Sequence, residues 1–223
     1  MSKNRLSSME RDAIGEILNI SLGASATAIS SMLDTRVDIT TPQVSLKSKE
    51  EFEFDELKPA VCVEIEYVDG LSGKNIMLLK KEDVKVIVEK LMHTEIPDEE
   101  FELNEMYVSA ICEVMNQMMG SSATALSELL SVTVNISTPK SFEITDSKAF
   151  KDKYFVEPGQ MVAVEFNLNI KGEMESEFIN LMPLELAKEL VGGFFPGGVP
   201  DDEDEIEPET SDSQLSQIGR AHV

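Results

Sequence analysis

Shifting the sequence by 97 residues lays Asp12–Pro42 over Ser109–Pro139 without a gap, and 15 of those 31 positions are identical. Glu16 falls on Glu113, Asn19 on Asn116, Gly23 on Gly120, the run "SAT" on "SAT" and Pro42 on Pro139. A chain that writes one unit twice is most simply one domain built from two related halves, so the fold is constrained to those that accept an internal repeat.

Each half continues in the same order. A long helix is followed by a β-branched stretch ending near a proline, "RVDITTPQV" or "VTVNISTPKSF". A second strand alternates at period two, "AVCVEIEYV" in the first half and "MVAVEFNLNI" in the second, and a third follows, "KNIMLLK" or "EFINLMP". A short helix closes each unit: "KEDVKVIVEKLM", and "PLELAKELVGGF" with Pro183 where a helix starts and Gly192-Gly193 where it stops. The expectation is an α/β (α+β) domain with a pseudo-twofold, about six mostly antiparallel strands, two long helices and two short ones. The repeats span about 7–95 and 103–196 of a domain covering 1–200, with 95–103 as connector and Asn104 as the cap of the second long helix. Small residues, Gly23 to Ala26 and Gly120 to Ala123, are expected to let the long helices or the sheet approach closely.

Charge and cysteine usage remove several function classes. The net charge is −23, and although eight of the acids lie between Asp201 and Asp212, residues 1–200 still carry a large acidic excess. That argues against nucleic acid, whose binding needs clustered Lys and Arg. Cys62, Cys112, His93 and His222 stand apart without metal-ligand spacing, so neither a disulfide framework nor a Cys/His metal site is indicated, and a reduced cytoplasm is the expected setting. No apolar run of 18 residues occurs, which argues against membrane insertion. Neither glycine cluster matches a nucleotide-binding loop. Residues 201–216, "DDEDEIEPETSDSQLS", read as an acidic disordered linker or tail. The last seven, "QIGRAHV", resemble translated sequencing-adapter read-through, so the natural chain is expected to continue past Ser216.

The repeated helix carries a second pattern. With Glu16 at zero on a wheel of about 100° per residue, Asp12 falls near −40° and Asn19 near −60°, whereas Ile14 and Leu18 fall on the opposite side. Ser109, Glu113 and Asn116 oppose Ile111 and Met115 in the same way. Glutamate and asparagine are therefore expected to point outward, together, twice. Exposed polar residues are ordinary, but neighbouring outward positions have drifted, Asp12 to Ser109 and Ile20 to Gln117, while the pair has not. Asparagine has no useful pKa; its carboxamide positions water by accepting from it and donating to an oxyanion. Glutamate beside a phosphoryl group is better placed to pair with a cation on a partner. Such a pair suits an activated phosphoryl ester on a partner carrying its own metal and lysine, since phosphoryl transfer is mostly positioning and charge compensation.

The pattern [Asp/Ser]-x3-Glu-x2-Asn-x22-Pro, present as Asp12-Glu16-Asn19-Pro42 and Ser109-Glu113-Asn116-Pro139, resembles the twin motif of the CheC-type chemotaxis phosphatases. "GEILNISLGASATAIS" and "EVMNQMMGSSATALS" are similar to its flagellar motor-switch branch, over about residues 7–195. The resemblance implies hydrolysis of the aspartyl phosphate of phosphorylated CheY. Asn19 and Asn116 would orient the attacking water, Glu16 and Glu113 would pair with the CheY lysine, and Asp12 and Ser109 would support them. Mg²⁺ would be held by CheY, so no cofactor or metal ligand is assigned to this chain. Pro42 and Pro139 are expected to end strands. Flagellar switch proteins are the further implied partners, at the cytoplasmic face of the flagellar basal body. The competing readings are an adaptor that binds CheY or CheD with little catalysis, and a free-standing member of the family.

Overall fold

The computed structural model describes residues 5–156 and 159–198. The order is α1 (Ser8–Met32), β1 (Val37–Ser48), β2 (Ala60–Asp69), β3 (Gly73–Lys80), α2 (Lys81–Met92), α3 (Glu105–Leu130), β4 (Asn135–Ile136), β5 (Lys140–Glu143), α4 (Ser147–Tyr154), β6 (Gln160–Ile170), β7 (Met174–Pro183) and α5 (Leu184–Phe194). The expected domain boundary at 200, the acidic stretch 201–216 and the final seven residues lie outside the described residues.

Both long helices start at side-chain caps. Ser7 and Glu10 form a reciprocal capping box on α1, and the Asn104 carboxamide oxygen accepts from the Tyr107 N–H at 3.0 Å on α3. The two exits are also alike. The hydroxyls of Ser30 and Ser127 each donate back to their own helix and each accept, at 2.9 Å, from the N–H that opens the next strand, Val37 or Val134. Two identities of the duplication are thereby accounted for by one hydrogen-bonded corner.

All ladders are antiparallel, and the sheet runs β1-β6-β7-β3-β2 with β4 and β5 both pairing with β2. The first strand of each repeat thus pairs with the second strand of the other repeat, and the third strands, β3 and β7, meet at the pseudo-twofold. Near that junction the Asn180 amide donates to Asn75 Oδ1 at 2.6 Å, with both residues only 1% exposed. A buried polar pair of this kind penalises slipped registers, because a one-residue shift would strand both amides in an apolar layer.

Strand alternation sorts the sheet into two faces. Val61, Val63 and Ile65 of β2 with Val162, Val164 and Phe166 of β6 face the layer of α1, α2, α3 and α5. Ala60, Cys62, Ile76, Leu78 and Leu181 face a second, smaller core closed by Phe52, Phe54, Phe150, Tyr154 and Phe155. The helix-side core accounts for the hydropathy of α1. It is the one helix among the described residues long and apolar enough to cross a membrane, yet half of its most apolar window is buried in the fold.

Four details differ from the sequence reading. The described residues form seven strands because the second copy's first strand is divided, Pro139 lying between β4 and β5. Pro42 does not end a strand; it lies inside β1, where the register shifts between Thr40 and Gln43. β1 is an edge strand, so its missing N–H there breaks no second ladder. α4 is an added helix, capped by the Asp146 carboxylate accepting from Lys148 and Ala149; its apolar positions, Phe150 and Tyr154, are four apart in a polar stretch too short to show a period. α5 runs through Gly192-Gly193 and ends at Phe194.

The smaller core carries the most perturbed carboxylate. Burial alone would push Glu64 up, but hydrogen bonds from Tyr154, Lys74 and Lys153 outweigh it and hold the group down at about 2. A depressed folded pKa contributes stability above the ordinary carboxylate value and loses it as pH falls through the folded one. Acid unfolding followed by circular dichroism between pH 4.5 and 2 is therefore expected to be less steep in Glu64→Gln than in the parent. Parallel acid transitions in the two proteins would contradict this role of Glu64.

Candidate functional site

The inner stripes of α1 and α3 decide what the outer stripes present. On α1 the buried positions include Ile14, Ile17, Leu18, Ser21, Leu22 and Ser25; on α3 they include Ile111, Val114, Met115, Met118, Met119 and Ser122. The Ser25 hydroxyl donates to the Met118 carbonyl at 2.7 Å, and Met118 occupies in the second copy the place of Ser21 in the first. Two helices come that close because Ser21, Ser25 and Ser122 are small and fully buried between them.

With those faces turned in, all six residues singled out from the sequence are exposed: Asp12, Glu16 and Asn19 on α1, and Ser109, Glu113 and Asn116 on α3. None of the six makes a side-chain hydrogen bond or ion pair among the described residues. The structure brings each trio together on one helix face but leaves the two trios on different helices, as two separate polar faces.

At the first copy, Asp12, Glu16 and Asn19 line an open groove of about 630 Å³ whose other wall is Thr40, Pro42 and Val44 of β1. β1 packs closely against α1 here: a Cβ on Gly15 would stand 3.8 Å from Val44 Cγ2 and 3.9 Å from Pro42 Cγ, ordinary contact distances. Pro42 is thus a wall of the groove, a role its sequence position did not disclose. In the second copy Cys112 replaces Gly15 and Ser141 replaces Val44. The Ser141 N–H donates to the Cys112 sulfur there, so the same helix-to-strand contact is kept with different chemistry. Burial pushes the Cys112 thiol up, which leaves it a packing group with little thiolate. Arg11 brings a guanidinium to the first groove, its Nη2 donating to the Leu6 carbonyl at 3.3 Å; Val108 takes its place in the second copy. Among the described residues no three His, Cys, Asp or Glu side chains are grouped so as to hold a metal, and both cysteines are free.

A model of the CheC-like family matches residues 9–46 and 106–143, two segments displaced by the same 97 residues as the internal repeat. The crystal structure of Thermotoga maritima FliY superposes with a TM-score of 0.73 at 35% identity, covering 86% of this chain and 99% of that one. The chain belongs to the CheC-like family. Within that family it is similar to the flagellar motor switch phosphatase FliY of Bacillus subtilis (strain 168), 37% identical over 210 residues. That match takes in 94% of this chain but only 55% of the Bacillus protein, so the chain spans about half the length of that relative. The FliM middle domain from H. pylori superposes with a TM-score of 0.62 over 84% of this chain and 99% of its own; at 12% identity this likeness is one of fold alone.

Exposure without internal partners makes a direct prediction for stability. Asn19→Ala and Asn116→Ala are expected to leave unfolding within about 0.5 kcal/mol of the parent, or slightly above it, since alanine is the better helix former. Ser25→Leu, by overfilling the helix contact, is expected to cost about 1–3 kcal/mol. Urea denaturation checks both, and a large loss in the asparagine variants would assign those residues to the framework instead.

Proposed function

We propose that this domain is a phosphatase that hydrolyses the aspartyl phosphate of phosphorylated CheY, working within the flagellar motor switch at the cytoplasmic face of the flagellar basal body. The observation that carries the reading is the pair of exposed Glu-Asn faces, alike in two copies and without side-chain hydrogen bonds or ion pairs among the described residues. The name of the Bacillus relative, a flagellar motor switch phosphatase, supports it.

The chemistry asked of the chain is modest. Asn19 or Asn116 accepts a hydrogen bond from a water through its carboxamide oxygen and donates its NH₂ towards a phosphoryl oxygen, holding the water in line. The water oxygen bonds to phosphorus as the bond from phosphorus to the aspartyl oxygen breaks. Inorganic phosphate leaves as H₂PO₄⁻, carrying both protons of the water, and the carboxylate of the CheY aspartate is restored. Glu16 or Glu113 pairs with the lysine beside the phosphoryl group, which orients CheY on the helix and keeps the negative charge off the phosphate. Asp12 and Ser109, one turn earlier, support the contact. Mg²⁺ belongs to the CheY side in this reading, where it would offset phosphoryl charge.

The test is decay of phosphorylated CheY in Mg²⁺, with and without the protein. The parent should accelerate decay. Asn19→Ala and Asn116→Ala should each lose about half of the acceleration, as independent sites do, and the folded double variant should lose all of it. An unchanged decay rate with the parent, alongside demonstrated binding of CheY or CheD, would make the domain an adaptor.

A further inference from the structure

The outward face of each motif helix is longer than its Glu-Asn pair. On the same wheel that puts Glu16 at zero, Met9 falls near +20°, Ile20 near +40° and Gly23 near −20°, so one stripe runs from Met9 through Asp12, Glu16 and Asn19 to Gly23. The copy on α3 runs from Met106 through Ser109, Glu113 and Asn116 to Gly120. Both ends of the stripe are the same residue in both copies, methionine at one end and glycine at the other, although Ile20 has become Gln117 between them.

Neither end is explained by packing among the described residues. Met9 is 37% exposed and Met106 52%, which places both among the few large apolar side chains open to solvent. A lone exposed methionine is unremarkable; two at equivalent positions on the one face that repeats are a pattern. The glycines are the more telling. The sequence reading gave them to close approach between helices, yet a Cβ on Gly23 or on Gly120 would meet nothing within 4 Å. Glycine in a helix interior is the least favourable residue apart from proline, and alanine would fit both positions without a clash. No described residue makes the close approach that would retain glycine, and a partner's surface can make it.

We propose that Met9 with Gly23, and Met106 with Gly120, form the two ends of a docking footprint for the phosphorylated receiver, on either side of the Glu-Asn pair. This rests on the function proposed above. The methionine fills an apolar depression on the receiver, its unbranched thioether adapting to the shape. The glycine lets the receiver's surface descend onto the helix backbone, and so sets how deeply the asparagine reaches. The ends are fourteen positions apart and so about 21 Å from each other, a distance that fits within the face of one small domain of about 13 Å radius of gyration. Charge agrees with this occupant: Asp12 and Glu16 on an acidic protein favour a surface whose phosphoryl group is flanked by a cation.

The test titrates the full chain with beryllofluoride-loaded CheY, which holds the phosphorylated shape without turning over, and records thermal midpoints beside it. The Gly23→Ala, Gly120→Ala double variant is expected to melt higher than the parent yet bind roughly tenfold more weakly. The Met9→Gln, Met106→Gln double variant is expected to keep the parent's midpoint and lose a similar factor in affinity. Asn19→Ala with Asn116→Ala should still bind while losing hydrolysis, which separates docking from water positioning. Unchanged affinity in the glycine and methionine variants overturns the footprint even if hydrolysis stands, and so does a lowered midpoint in the glycine variant, which would make those glycines structural. A parent that binds loaded CheY without hydrolysing its phosphate leaves the footprint to be decided by the same affinities. A parent that does not bind it removes the functional reading and the footprint together.

Discussion

Neither half of the sheet is complete until the other half supplies its outer strand: β1 lies on β6, and β5 lies on β2. A single repeat would leave its second strand with an open edge facing water, the kind of edge that recruits other chains. The duplication is therefore one cooperative unit, and the Asn75–Asn180 contact where the third strands meet marks the register of the whole. With the sheet joined in this way, both long helices must lie on the same face, and their packing there is what turns two polar stripes to solvent.

In the proposed function the chemistry falls to side chains that make no hydrogen bond or ion pair among the described residues. Glu16, Asn19, Glu113 and Asn116 are held by helix geometry alone, on helices fixed by capped starts, hydrogen-bonded corners at Ser30 and Ser127, and a dry inner stripe. A rigid helix is a more accurate mount for a water-positioning carboxamide than a loop. The first copy adds a walled groove with Arg11 and Pro42, and the second replaces Arg11 by Val108, so the two faces share a pattern while differing in local charge.

Much of this was legible because it followed from periodicity. The opposition of Glu16 and Asn19 to Ile14 and Leu18 foretold their exposure, α2 was readable to its last residue, and Asn104 announced its cap. What was not legible depended on tertiary neighbours. Pro42 reads as a strand end from its chemistry alone; only the edge position of β1 makes it tolerable mid-strand, and only the packing of β1 against α1 makes it a groove wall. Gly23 and Gly120 read as packing glycines because "GASAT" and "GSSAT" mix inward and outward positions, and the buried neighbours, Ser25 and Ser122, do make the close contact. α4 left no periodic trace, since eight residues with two apolar anchors resemble a polar loop.

The central claim is that the outer faces of α1 and α3 meet the phosphoryl group of CheY. The structure of this domain bound to beryllofluoride-loaded CheY tests it most directly. The account predicts the carboxamide of Asn19 or Asn116 within hydrogen-bonding reach of the beryllofluoride or its in-line water, with Glu16 or Glu113 on the neighbouring lysine. CheY seated elsewhere, on a sheet edge or on the smaller core, with both motif helices bare, would contradict it.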